Sequence, residues 1–99
     1  MSLEVSTAKH AIHDKLESEI EAAKAKLDTL KARAEVAKAN VEIRAIAELA
    51  VQRLDIHEKL QELKRLGDDK WGQAKKDIEA RLAGLERSIK GIEAKVKAH

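Results

Sequence analysis

Residues 32–47 read ARAEVAKANVEIRAIA, and this stretch decides how many helices the chain forms. Most of its residues favour helix, and it contains neither Gly nor Pro. Asn40 is its only turn signal, and a single Asn is a weak one. The stretch therefore predicts a continuous helix through Asn40. The alternative is a break there, which would give a three-helix bundle with helices of about 33, 26 and 30 residues.

An apolar stripe passes through this stretch without a change of phase. The stripe advances in steps of three or four residues, close to the ~3.6 residues per turn of an α-helix. It predicts a single long helix over residues from about 5 to 66. The members of the stripe are Ile12, Leu16, Ile20, Ala23, Leu27, Leu30, Ala34, Lys38, Val41, Ala45, Leu49, Gln52, Ile56, Leu60 and Leu63.

The strongest turn signal in the chain is the sequence LGDD at residues 66–69. Gly67 suits the left-handed conformation that ends many helices, and either aspartate can cap the helix that follows. Residues from about 70 to 97 then carry apolar side chains at heptad spacing. The sequence thus predicts an all-α fold, a long helical hairpin or antiparallel coiled coil, with residues 1–99 forming a single domain.

Composition and charge favour a long helical protein and argue against nucleic-acid binding and cysteine chemistry. Charged residues make up 38% of the chain, and Trp71 is the only aromatic residue, a balance typical of coiled coils. The 20 basic and 18 acidic residues are interspersed, so the chain lacks the concentrated positive charge of a nucleic-acid-binding protein. The chain has no cysteine, which excludes disulfides and thiolate chemistry.

The second predicted helix is too short to cover the first. Paired antiparallel about Gly67, it would end opposite Lys38 and leave the N-terminal half of the long helix overhanging and exposed. A second apolar surface in the middle of the long helix also indicates contact on two sides. We therefore expect a homodimer or higher helical-bundle oligomer, with a two-fold axis near residues 40–50. The predicted oligomer interface comprises Ile12, Leu16, Ile20, Leu27, Leu30, Val36, Ile43, Ile46, Ala50 and Leu54.

The only cluster of potential metal ligands lies near the N-terminus and consists of His10, His13, Asp14 and Glu17. On a helix, His10 lies one turn from Asp14 and His13 one turn from Glu17, so the pairs could present nitrogen and oxygen to Zn²⁺ or Cu²⁺. Histidines near a fraying terminus are more often solvated, and tight sites usually draw ligands from several elements. We therefore predict no metal site and no cofactor, with these four residues as the only candidates.

No arrangement of residues in the sequence indicates catalysis. The serines have no base placed beside them, and the chain has no glycine-rich phosphate loop, so we predict that it is not an enzyme. The first twelve residues include Glu4, Lys9 and His10 where a signal peptide needs an apolar run. No stretch has the length of a membrane span. A cytoplasmic location is the resulting expectation.

Two functions are compatible with such a chain. The first is non-enzymatic: a coiled-coil oligomerisation, scaffold or adaptor module that binds itself or another helical protein. The alternative is a peripheral protein that binds lipid or membrane surfaces through amphipathic helices. The segments EAAKAKLDTLK (21–31) and ARAEVAKANVE (32–42) resemble exchangeable apolipoproteins and desiccation-related helical proteins, which implies helices lying on a membrane by their apolar face. Membrane-surface helices usually carry Trp or Phe on that face, and this one has Leu, Ile and Ala, so we prefer the scaffold.

Overall fold

The computed structural model describes the backbone of residues 3–98 and the side chains of residues 8–98. Every regular element in this part of the chain is an α-helix. The helices are α1 (Leu3–Val36), α2 (Asn40–Leu63) and α3 (Asp68–Lys97). The prediction of an all-α protein is confirmed.

The three helices lie side by side as a bundle. Each helix contacts the other two, and the longest dimension of the molecule is 55 Å. At ~1.5 Å per residue, the 34 residues of α1 span about 51 Å, so one helix accounts for nearly the whole length. A continuous helix from about residue 5 to 66 would be far longer. The prediction of one long helix is therefore wrong, and the three-helix alternative describes the fold.

The chain breaks between α1 and α2 through a backbone motif that the sequence did not indicate. Lys38 adopts a left-handed conformation with φ of 57°. The N–H of Ala39 donates to the carbonyl of Ala34 at 2.9 Å, and the N–H of Lys38 donates to the carbonyl of Glu35 at 3.1 Å. These two bonds form a Schellman motif, which ends many helices and usually has Gly at the left-handed position. Lys at that position explains why the break escaped sequence reasoning.

Asn40, the turn signal that the sequence does contain, has little part in the break. It is the first residue of α2, and Ala39 occupies the N-cap position with no side-chain hydrogen bond to the helix. The amide side chain of Asn40 is exposed. The break therefore depends on the backbone conformation of Lys38 and on the burial of Ala39 rather than on a polar cap.

The connection between α2 and α3 lies where the sequence predicted a turn, but its geometry differs. After Leu63 the chain continues as a 3₁₀-type turn, because the N–H groups of the next three residues each donate to the carbonyl three residues earlier. Gly67 has φ of −74° and ψ of 167° and is the N-cap of α3, so the predicted left-handed conformation is wrong. Asp68 and Asp69 lie in the first turn of α3, where their charge is favourable for the helix dipole, and the N-cap has no side-chain hydrogen bond.

All three helices contribute to one hydrophobic core. Fully buried side chains come from each helix, among them Ile20 of α1, Leu60 of α2 and Ile78 of α3. The N-terminal half of the chain therefore does not overhang, because α1 packs against α2 and α3 of its own chain. The predicted need for a second chain to cover this half is wrong. The buried α1 residues are Leu16, Ile20, Ala23, Leu27, Leu30 and Ala34.

The core-facing side of α2 differs in part from the predicted stripe, although Leu49, Ile56, Leu60 and Leu63 lie in the core as predicted. Val41, which the uninterrupted stripe placed in the core, is 76% exposed, and Gln52 is also exposed. Ile46, which the sequence placed on the second apolar surface, is 3% exposed and belongs to the core. These placements of Val41, Gln52 and Ile46 are wrong because the side of α2 that faces the core is rotated slightly from the predicted stripe.

Candidate functional site

An apolar stripe lies on the outer side of α2, away from the core. Its residues recur at spacings of three, four and seven positions, and its two adjacent members, Ala50 and Val51, fall within the same third of the helix circumference. Val51 is 67% exposed and Leu54 53% exposed, while the side chains between and beside them are small or half-buried. We call this stripe the α2 apolar face, and its members are Ile43, Ala47, Ala50, Val51 and Leu54.

Opposite charges flank the α2 apolar face along one edge. Arg44 lies near the N-terminal end of the face and Asp55 near its C-terminal end, eleven positions apart, which is about three helical turns. Asp55 is 3.7 Å from a guanidinium nitrogen of Arg81 on α3. Arg81 makes a closer ion pair with Asp77, at 2.9 Å. The carboxylate of Asp55 is about half exposed and so remains open to a further cation.

The structure divides the predicted oligomer interface into two groups. One group is enclosed in the core and cannot meet another chain without unfolding; it consists of Leu16, Ile20, Leu27, Leu30 and Ile46. The other group is at least partly exposed and consists of Ile12, Val36, Ile43, Ala50 and Leu54. Three residues of the second group, Ile43, Ala50 and Leu54, lie together on the α2 apolar face. Ile12 and Val36 belong to α1 and lie elsewhere.

A second candidate site lies at the end of the bundle that carries the α2–α3 connection. A cleft of about 370 Å³ separates the N-terminal part of α1 from this connection. His10, His13, Asp14 and Glu17, the four ligand candidates of the sequence, all line the cleft. They recur at spacings of three, four and seven residues and so form one edge of α1. Across from them lie Leu63, Lys64, Leu66 and Trp71.

His13 differs from the solvated histidine that the sequence predicted. It is only 8% exposed, because α1 packs against the other helices at this point. Its Nδ1 lies 3.8 Å from a carboxylate oxygen of Asp14 and 3.8 Å from one of Glu17. Its Nε2 is buried and has no hydrogen-bond partner. His10 is exposed and lies outside this close group of three ligand atoms.

A cation on the ring of Trp71 completes this end of the bundle. The Nζ of Lys9 is 5.3 Å from the ring centroid, a distance typical of a cation–π contact, and it also forms an ion pair with Asp68. Trp71 is half-buried against the core beside Leu66. Sequence reasoning missed the role of Lys9, because more than 55 positions separate it from both partners and no local pattern links them.

No helix within residues 3–98 combines the length and apolar character that a membrane crossing requires. Comparisons of the chain with protein-family models, with curated proteins and with solved structures give no match.

Proposed function

We propose that the protein is a non-enzymatic interaction module that forms a homodimer through the α2 apolar face. The observation that carries this proposal is the exposure of Val51 and Leu54 on a helix whose opposite side is fully used in the core. A helix that is apolar on two sides is usually contacted on two sides. The bundle covers one of these sides, and a second copy covers the other.

The pattern of the α2 apolar face favours an antiparallel arrangement of two copies. Its midpoint lies between Ala47 and Ala50, with Ile43 and Leu54 at equal distances on either side. In an antiparallel pair centred there, Ile43 packs against Leu54 of the second copy, and the reverse. The two alanines meet at the centre, where small side chains let helix axes approach closely. Such self-complementarity is what a two-fold interface requires.

Charge at the edge of the face supports the same arrangement. An antiparallel pair centred between Ala47 and Ala50 brings Arg44 of each copy close to Asp55 of the other, giving two intermolecular ion pairs. A parallel two-fold pair would instead place the charged edges of the two helices on opposite sides of the interface, where these ion pairs cannot form. The attraction between Arg44 and Asp55 is therefore available only in the antiparallel arrangement.

The α2 apolar face is small, so the dimer is expected to be weak. Burying the exposed parts of Ile43, Val51 and Leu54 in both copies contributes about 1 kcal/mol per side chain. Two ion pairs between Arg44 and Asp55 add up to about 1 kcal/mol each. Association costs at least about 4 kcal/mol in lost freedom, so the surplus reaches about 4 kcal/mol. This surplus corresponds to a dissociation constant near about 1 mM. Such an interface suits reversible assembly or a scaffold in which local concentration is high.

Sedimentation velocity or light scattering over a range from about 0.1 to 3 mM tests the proposal. The wild-type protein should shift from monomer to dimer over this range. Val51→Lys places a charge in the centre of the interface and should keep the protein monomeric throughout. Val41→Lys is the matched control, because Val41 is an exposed valine on the same helix but lies off the apolar face. It should dimerise like the wild type.

Two results would count against this function. A wild-type protein that stays monomeric up to about 3 mM would leave the α2 apolar face without a second copy to cover it. Co-sedimentation with phospholipid vesicles that Val51→Lys abolishes and Val41→Lys preserves would assign the same face to membrane binding. That second result would favour the lipid-surface alternative.

A further inference from the structure

We infer that His13, Asp14 and Glu17 bind a first-row divalent transition metal ion such as Zn²⁺, through Nδ1 of the histidine and one oxygen of each carboxylate. The site uses residues of α1 only and does not depend on dimerisation through the α2 apolar face. Both carboxylates open into the cleft at the end of the bundle, which provides a path for the ion.

The spacing of the three ligand atoms carries the inference. Nδ1 of His13 is 3.8 Å from an oxygen of Asp14 and from an oxygen of Glu17, and the three ligand atoms all lie within 4.8 Å of one another. A distance of 3.8 Å is too long for a hydrogen bond. Two ligands that each lie ~2.0 to 2.2 Å from a tetrahedral zinc ion are about 3.4 Å apart. Small rotations of the carboxylate side chains therefore bring the three atoms to coordinating distance.

The burial of His13 is the second, independent observation. His13 is 8% exposed, and its Nε2 has no hydrogen-bond partner in the part of the chain that the structure describes. Nδ1, the ring nitrogen that faces the two carboxylates, makes only long contacts of 3.8 Å, and coordination gives it a strong partner while the ring proton stays on Nε2. Packing also restricts the ring to one orientation before the ion arrives. The imidazole of His13 is thus already in position to coordinate the ion.

The chemistry of the donors selects the class of ion. One imidazole nitrogen and two carboxylate oxygens, with no sulfur, fit Zn²⁺, Co²⁺ or Ni²⁺ better than Mg²⁺ or Ca²⁺, which prefer oxygen alone. The two carboxylates neutralise the charge of a divalent cation. Lys9, the nearest cation on the preceding turn, is held by Asp68 and the ring of Trp71. These two contacts balance the positive charge of Lys9 and so reduce its repulsion of a bound cation.

Three ligands from adjacent turns of one helix form an open site, with water in the remaining positions. We expect one ion per chain with a dissociation constant of roughly 1 to 50 µM. His10 lines the same cleft but lies outside the group of three, so it should contribute little. Because the ligands are ordered only in the folded protein, the ion should also raise the thermal midpoint of unfolding.

Calorimetric titration of the full chain, prepared without a histidine tag and treated with chelator, tests the site with zinc chloride as the probe. The double variant Asp14→Asn/Glu17→Gln keeps the shape of both exposed side chains and removes two ligands. Its affinity for Zn²⁺ should fall at least about tenfold. The matched control is Glu21→Gln, an exposed glutamate one turn further along α1, which should bind like the wild type.

A second measurement shows that the ion reaches His13. Imidazole NMR signals of His13 should shift on addition of Zn²⁺, while those of His57 on α2 should not. Stoichiometric binding that is lost in Asp14→Asn/Glu17→Gln and kept in Glu21→Gln would support the inference. No binding by the wild type, equal binding by the double variant, or a loss confined to His10→Asn or His57→Asn would overturn it.

Discussion

The backbone N–H of Ala39 donates a hydrogen bond of 2.9 Å to the carbonyl of Ala34, and both residues are buried, at 3% and 0% exposure. The bond closes the last turn of α1 and directs the chain back along the bundle. Lys38 lies between the two residues in the left-handed conformation, which is unfavourable for a residue with a Cβ atom by about 1 kcal/mol. The contact between the two alanines compensates for this strain by anchoring both ends of the loop in the core.

The first prediction concerns the left-handed residue. Lys38→Gly should stabilise the protein by about 0.5 to 1 kcal/mol, because Gly adopts a positive φ without steric conflict. In a domain of this size, 1 kcal/mol corresponds to about 4 to 8 °C in the thermal midpoint. Circular dichroism during thermal or urea unfolding measures the change.

Lys31→Gly is the matched control for this substitution. Lys31 is an exposed lysine inside α1, where Gly should instead destabilise the protein by about 1 kcal/mol. Opposite signs for the two variants would identify residue 38 as the end of a helix. If both variants lost stability equally, α1 and α2 would form one continuous helix in solution.

The second prediction concerns the burial of α1 in its own chain. Ile20→Ala should lower the free energy of unfolding by about 2 to 5 kcal/mol, because Ile20 is fully buried and the change leaves a cavity. The loss should be the same at low and high protein concentration. Urea unfolding at about 2 µM and 200 µM checks both statements.

Val36→Ala serves as the control, because Val36 lies on α1 but is 86% exposed. Its stability should stay within about 0.5 kcal/mol of the wild type. A destabilisation by Ile20→Ala that depends strongly on concentration would show that a second chain, rather than α2 and α3, covers this face of α1.

The third prediction concerns the charges beside the α2 apolar face, and it depends on the proposed dimer. Arg44→Glu should weaken the dimer by about 0.8 to 4 kcal/mol, since it removes two exposed ion pairs of about 0.2 to 1 kcal/mol each and replaces them with repulsions of similar size. Added salt should weaken the wild-type dimer and strengthen the variant dimer, because it screens attraction in one and repulsion in the other. Sedimentation equilibrium at low and high salt measures both.

Arg65→Glu makes the same change of charge in the connection between α2 and α3, away from the α2 apolar face. It should leave both the dimer affinity and its salt dependence close to those of the wild type. Equal effects of the two substitutions would indicate that overall charge, and not a contact between Arg44 and Asp55, controls association.

Part of the metal-binding candidate could be read from the sequence, and part could not. Helical spacing correctly placed His13 one turn from Glu17 and grouped both with Asp14 on one edge of α1. Spacing on one helix contains no information about which edge other helices cover. The burial of His13 and the contact of Lys9 with Trp71 arise from elements that lie far apart in the chain.

The sequence by itself determined the helical class, the apolar positions of α1 and α3, most of the buried positions of α2, and the position of the second turn. These features follow from the apolar periodicity, the absence of proline and the turn residues at 66–69. Each of them acts through the conformational preferences of residues that are close together in the chain. Only the tertiary structure decided the break at residues 37–39. A left-handed Lys38 is unfavourable by about 1 kcal/mol, whereas burying each large side chain of α1 contributes about 1.5 to 3 kcal/mol. Folding α1 back buries several such side chains, among them Leu16, Leu27 and Leu30, and their sum exceeds the local preference for an unbroken helix.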